Sequence, residues 1–161
     1  MRKIITKKSE SFLEKYLNNP SPTGFESEGQ KLWLDYMKPY VDDYITDNYG
    51  SVAGIINPGK QYKVVIEAHA DEISWFVHYI TDNGFIYLRR NGGSDHQIAP
   101  SKRVNIHTEK GTVKAVFGWP AIHTRRGGAK EESPKTDNIF LDCGCKKKKD
   151  VEALGIHVGC V

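Results

Sequence analysis

His69 and Asp71, one alanine apart and followed by Glu72, are the residues of this sequence best suited to metal-assisted hydrolysis. An imidazole can give a ring nitrogen to a metal. A carboxylate two residues on can orient that ring or polarise a bound water. The run before them, Val64-Val65-Ile66-Glu67-Ala68, is short, apolar and β-branched. It reads as a buried strand over 64–68, and sites in open α/β sheets form at strand ends. Alternation along a strand then puts both side chains on one face. The pair alone reads more readily as a polar strand end with a hydrogen-bonded imidazole. One histidine is also too little, because a hydrolytic metal takes about three protein ligands and an open position.

Other groups of chemical interest carry plainer readings. Ser21-Pro22-Thr23-Gly24-Phe25-Glu26 precedes a helical pattern, so Thr23 reads as its cap and Glu26 as the partner of a capping box. Cys143, Cys145, His157 and Cys160 are zinc-type ligands, but Cys-x-Cys is tighter than the usual Cys-x2-Cys and the gap to His157 fits no common knuckle. They read as a structural strand end with buried thiols. The lysines of 146–149 and the pairs Arg89-Arg90, Lys102-Arg103 and Arg125-Arg126 are diluted by Asp137, Asp142, Asp150 and Glu152. Solvated surface fits them better than a nucleic-acid interface.

The elements that must position these residues change character along the chain. Residues 9–17 carry an apolar stripe at Phe12, Leu13, Tyr16 and Leu17, and 26–38 carry another at Leu32, Trp33, Tyr36 and Met37. Prolines 20, 22 and 39 bound these helices. Two strands, 44–47 and 52–56, flank Asn48-Tyr49-Gly50. After Asp71 the period drops to two. Strands are expected over 73–80, 85–90, 104–108, 111–117 and 138–143, with a polar loop over 124–137 and a short helix at 148–154. The boundary predicts two domains, 1–71 and 72–161.

Length and composition fit this plan. A chain of 161 residues, 27% charged and 39% apolar, suits one soluble globular domain or one and part of another. A net charge of +3 is too small to imply nucleic-acid binding. No apolar run approaches the roughly 20 residues that span a bilayer, so neither nucleic acid nor membrane is expected as a partner. The N-terminus has no apolar segment long enough for a secretory signal. Three cysteines argue for a reducing compartment, with cytoplasm the default.

Several stretches together resemble one family, the deblocking, glutamyl and tetrahedral aminopeptidases, which are two-metal metallopeptidases. They are Pro20-Ser21-Pro22-Thr23-Gly24-Phe25-Glu26, Asn48-Tyr49-Gly50-Ser51, Glu67-Ala68-His69-Ala70-Asp71-Glu72-Ile73 and Gly92-Gly93-Ser94-Asp95. Ser101-Lys102-Arg103-Val104-Asn105-Ile106, Gly118-Trp119-Pro120-Ala121-Ile122-His123, Asn138-Ile139-Phe140-Leu141-Asp142-Cys143-Gly144 and Leu154-Gly155-Ile156-His157-Val158-Gly159 continue in the same order.

The resemblance implies an α/β fold. Residues 1–71 would be the N-terminal part of a three-layer α/β/α zinc-peptidase core. Residues 72–161 would be an inserted small β-barrel, PDZ-like, that mediates dimerisation. It implies a metal ligand at His69 and the catalytic-site aspartate that orients it at Asp71. The implied reaction is removal of N-terminal residues from peptides with two divalent ions, zinc or cobalt, and the implied state is a homo-oligomer. The remaining ligands and the general base of the family lie C-terminal of the inserted domain. The expectation is therefore a partial enzyme, inactive alone, with a separately encoded C-terminal half as one source of the missing residues. A non-catalytic assembly or protein-interaction module is the alternative. An endoglucanase label carried by some relatives finds no paired carboxylates to support it.

Overall fold

A computed structural model describes residues 5–125 and 133–161. The chain divides into two compact units, Met1–Glu72 and Ile73–Val161.

The first unit is built from two helices and a hairpin. Helix α1, Lys7–Asn18, starts on a capping box in which Thr6 and Ser9 each accept from the other's amide. Its stripe is only half used. Phe12 stacks on Tyr36 of α2, Ser27–Met37, with centroids 4.0 Å apart, while Leu13 and Leu17 stay exposed. Strands β1, Asp43–Thr46, and β2, Val52–Ile55, pair antiparallel. Asp47 closes their turn by accepting from the amides of Tyr49 and Ser51.

The expected buried strand over 64–68 does not form. The segment carries no regular structure and pairs with no described strand, and Val64, Val65 and Ile66 are 74%, 82% and 96% exposed. A strand is stable only within a ladder and against a packed face. The β-branched composition expresses a fit to such a setting and cannot create it. Among the described residues, every buried apolar side chain outside this unit's Pro22 belongs to the second unit.

The second unit is a five-stranded antiparallel sheet in the order β3-β4-β7-β6-β5. The strands are β3, Ser74–Ile80, β4, Ile86–Asn91, β5, Arg103–Thr108, β6, Gly111–Gly118, and β7, Phe140–Asp142. Each follows from two-residue alternation bounded by turn residues. The β3–β4 turn needs Gly84. Its φ is +88°, and a Cβ there would meet the Cys145 carbonyl oxygen at 2.5 Å. Helix α3, Lys148–Ala153, buries Val151. Ile86, Ile139, Val151 and Ile156 are sealed from solvent, and Trp75 packs edge-on to Phe117.

The sheet curls, and one short segment serves both of its edges. Val77 of β3 donates to the Cys160 carbonyl at 2.8 Å and accepts from the Gly159 amide at 2.9 Å. His107 of β5 donates to the Val161 carbonyl at 2.7 Å. Of the expected polar loop over 124–137, residues 126–132 lie outside the described residues.

Candidate functional site

The loop between α1 and α2 pins the stretch that carries the candidate residues. Pro22 forms an isolated parallel bridge with Glu72. Glu72 donates its amide to the Ser21 carbonyl at 2.8 Å, and its carboxylate accepts from the Ser21 amide at 2.8 Å. Gly29 of α2 lies so close to Ser21 that a Cβ would collide with the Ser21 hydroxyl oxygen.

Within this frame His69, Asp71 and Thr23 meet. His69 Nδ1 lies 2.9 Å from Asp71 Oδ1 and 3.0 Å from the Asp71 carbonyl oxygen. Both partners are acceptors, so Nδ1 carries the proton, the tautomer that leaves a lone pair on Nε2. The Thr23 hydroxyl donates to the other carboxylate oxygen, Asp71 Oδ2, at 2.6 Å. Each oxygen of Asp71 therefore accepts one hydrogen bond. The imidazole side chain is 84% exposed.

Asp71 is held below the usual carboxylate range, first by the Thr23 hydroxyl and then by His69. Asp47 is lowered in the same direction, chiefly by the backbone of Ser51. A depressed carboxyl contributes stability above its unfolded pKa, about 3.9. That contribution is lost as pH falls through the lower folded value. Thr23→Val is expected to move the Asp71 titration upward, toward the ordinary value, more than His69→Ala does. Carboxyl-carbon NMR titration checks this, and an unmoved Asp71 midpoint in Thr23→Val would contradict it.

Thr23 is not the helix cap that its place in the sequence predicts, because its hydroxyl is committed to Asp71. Helix α2 begins at Ser27 with no side-chain cap bond, and Glu26 instead accepts from the Gly24 amide at 2.7 Å. The Ser-Pro-Thr-Gly signal was visible, but capping and a tertiary contact to Asp71 look alike in one dimension.

The cysteine and histidine group does not assemble as a metal centre. His157 Nδ1 engages the Val158 carbonyl at 2.8 Å, and buried Cys160 Sγ accepts from the His157 amide at 3.4 Å. Among the described residues, no set of three or more His, Cys, Asp or Glu is placed to share a metal. What His69 and Asp71 fit is one position of a metal's ligand shell: an imidazole lone pair on Nε2, with the ring fixed through Nδ1 by a carboxylate. Of the basic pairs, Arg89 is engaged by Asp137 at 2.8 Å, and Arg125 lies 3.5 Å over the Trp119 ring.

The model of the M42 glutamyl aminopeptidase family matches residues 50–161, most of the chain and including His69 and Asp71. The chain belongs to that family. FrvX, a provisionally assigned aminopeptidase of Escherichia coli (strain K12), is 31% identical over 139 residues, covering 85% of this chain and 38% of its own length. The TET aminopeptidase of the marine sediment archaeon Thaumarchaeota archaeon SCGC AB-539-E09 superposes with a TM-score of 0.90 at 26% identity, over 96% of this chain and 44% of that one. The TET1 peptidase of Pyrococcus horikoshii, which can assemble into a tetrahedron or a large octahedral shell, superposes with a TM-score of 0.79 at 25% identity, over 94% and 45%. This M42 chain thus spans less than half the length of the relatives it matches. No helix among its described residues is long and apolar enough to cross a membrane.

Proposed function

We propose that this chain is the N-terminal part of a metal-dependent aminopeptidase that removes N-terminal residues from peptides. The observation that carries the reading is the bond from His69 Nδ1 to Asp71 Oδ1, with Thr23 holding the second carboxylate oxygen. A ring fixed in that way presents Nε2 as a ligand, and the orienting carboxylate raises its basicity. Two divalent ions, zinc or cobalt, would supply Lewis acidity and a water of lowered pKa when bound. In this reading His69 contributes one ligand, Asp71 positions it and Thr23 positions Asp71. The other ligands and the proton-accepting glutamate belong to the part of the family's length that this chain does not span.

The same reading makes residues 1–71 part of a three-layer catalytic domain and 72–161 an inserted β-barrel used for dimerisation. A homo-oligomer is supported by the shells that the archaeal TET1 relative builds. A cytoplasmic setting is supported by three unpaired cysteines. The second reading, a non-catalytic assembly module, is favoured by one fact: the unit with a complete apolar core is the β-rich one.

Aminoacyl-anilide turnover separates the two. The chain alone is expected to be inactive with added zinc, cobalt or manganese. Mixed with the complementary segment of a relative, it should turn over substrate, and His69→Ala should abolish that turnover. Turnover indifferent to His69→Ala would refute the ligand role. Failure of every complementary segment to restore activity, despite binding, would favour the assembly module.

A further inference from the structure

Three cysteines are free, and two of them, Cys143 and Cys145, sit together where β7 ends. Gly144 between them has φ +84°, a left-handed turn that brings the flanking residues round toward each other. Both side chains are partly buried against the core. The Asp142 carboxylate fixes the turn by accepting from the Gly144 amide at 2.7 Å.

The two thiols differ in what they face. Cys143 lines an open groove of about 650 Å³ between β5, β6 and β7, whose wall carries Arg103, Asn105 and Lys114. Asp142 also lines it, with one oxygen already committed to the Gly144 amide. The groove falls within the size range of small-molecule sites. Two cations and an amide at a thiol favour an anionic ligand of low molecular weight. Cys145 is not part of the groove lining. Burial, foremost, and the adjoining Cys143 thiol push its pKa up.

We propose that Cys143 and Cys145 form a redox dithiol that is oxidised by an anionic low-molecular-weight disulfide of the glutathione type, seated in the Arg103–Lys114 groove. Cys143 loses its proton to water, and its thiolate attacks one sulfur of the glutathione disulfide. That S–S bond breaks, a protein–glutathione disulfide forms, and one glutathione leaves as thiolate and takes up a proton. Cys145 then loses its proton and attacks the Cys143 sulfur, closing the protein disulfide and expelling the second glutathione. The protein gives up two electrons, and one glutathione disulfide becomes two thiols. Cys143 attacks first because it lines the groove where the disulfide is seated, whereas Cys145 lies outside that lining and its burial disfavours the thiolate.

The test uses the full chain, kept dilute, reduced, and then exposed to glutathione disulfide. Acid quenching, alkylation and peptide mass spectrometry follow. The expected product is a Cys143–Cys145 crosslink with Cys160 alkylated. Cys145→Ser should stop at a glutathione adduct on Cys143, and Cys143→Ser should leave Cys145 largely unmodified. Replacing Arg103 and Lys114 together by alanine should slow the reaction with glutathione disulfide about tenfold. The same replacement should not slow the reaction with neutral hydroxyethyl disulfide. Full alkylation of Cys143 and Cys145 after oxidation, or adduct on Cys160 alone, would overturn the dithiol. Equal slowing of both oxidants by the alanine pair would overturn the groove as its ligand site. Circular dichroism of each variant confirms that the comparison is made on folded protein.

Discussion

Purified by itself, the chain is expected to self-associate at micromolar concentration. Val64, Val65 and Ile66 are 74%, 82% and 96% exposed, and Leu13 and Leu17 add 53% and 71% within the same unit. Covering one such side chain is worth about 1.5–3 kcal/mol. Covering five therefore exceeds the lower part of the ~4–15 kcal/mol that association costs. Exposed apolar surface of this kind marks interaction sites or aggregation. Size-exclusion chromatography with light scattering reads the outcome. Replacing Val65 and Ile66 by lysine should shift the distribution toward monomer, whereas the second unit should be indifferent to that change. A clean, cooperative monomer of the unmodified chain would show that these side chains need no cover.

Ile86→Ala is expected to cost the second unit about 2–5 kcal/mol. Ile86 is fully sealed and its strand position pairs with Leu141 of β7. The surrounding side chains are held by strands on both sides of β4, so the cavity cannot collapse freely. Against a total of about 5–15 kcal/mol for a domain, such a loss removes a large share of stability. Urea unfolding followed through Trp75 and Trp119, both in this unit, measures it. Leu17→Ala, at an exposed helical position, is the control and should stay within about 0.5 kcal/mol. Equal effects from the two substitutions would contradict the placement of the core.

The β-rich unit was legible in sequence because its code is local. Turn residues at 81–84 and 109–110 separate runs of period two, and the strands fall within two or three residues of where those runs place them. The helices were legible for the same reason, although which stripe residues meet, Phe12 with Tyr36, is visible only in the structure. The segment 64–68 was not, because its composition states a preference for burial while its structure depends on a partner. The His69–Asp71 contact was readable from their spacing, although the strand invoked to explain it is absent. Thr23 escaped because its partner is distant in sequence. So did the bonds of Gly159–Val161 to β3 and β5, which no periodicity announces.

Those last bonds decide where the molecule is open to foreign strands. A curled sheet has two outer strands, and their unpaired amides and carbonyls are templates for any extended chain that drifts past. Here Gly159 and Cys160 occupy the Val77 backbone on one side, and the next residue, Val161, occupies the His107 amide on the other. Cover of the two margins at these points therefore rests on one continuous run of three residues. Displacing Gly159–Val161 as a whole frees the Val77 and His107 groups together, and reseating it covers both. The second unit thus occupies part of each of its own sheet edges, in contrast to the exposed apolar run of the first.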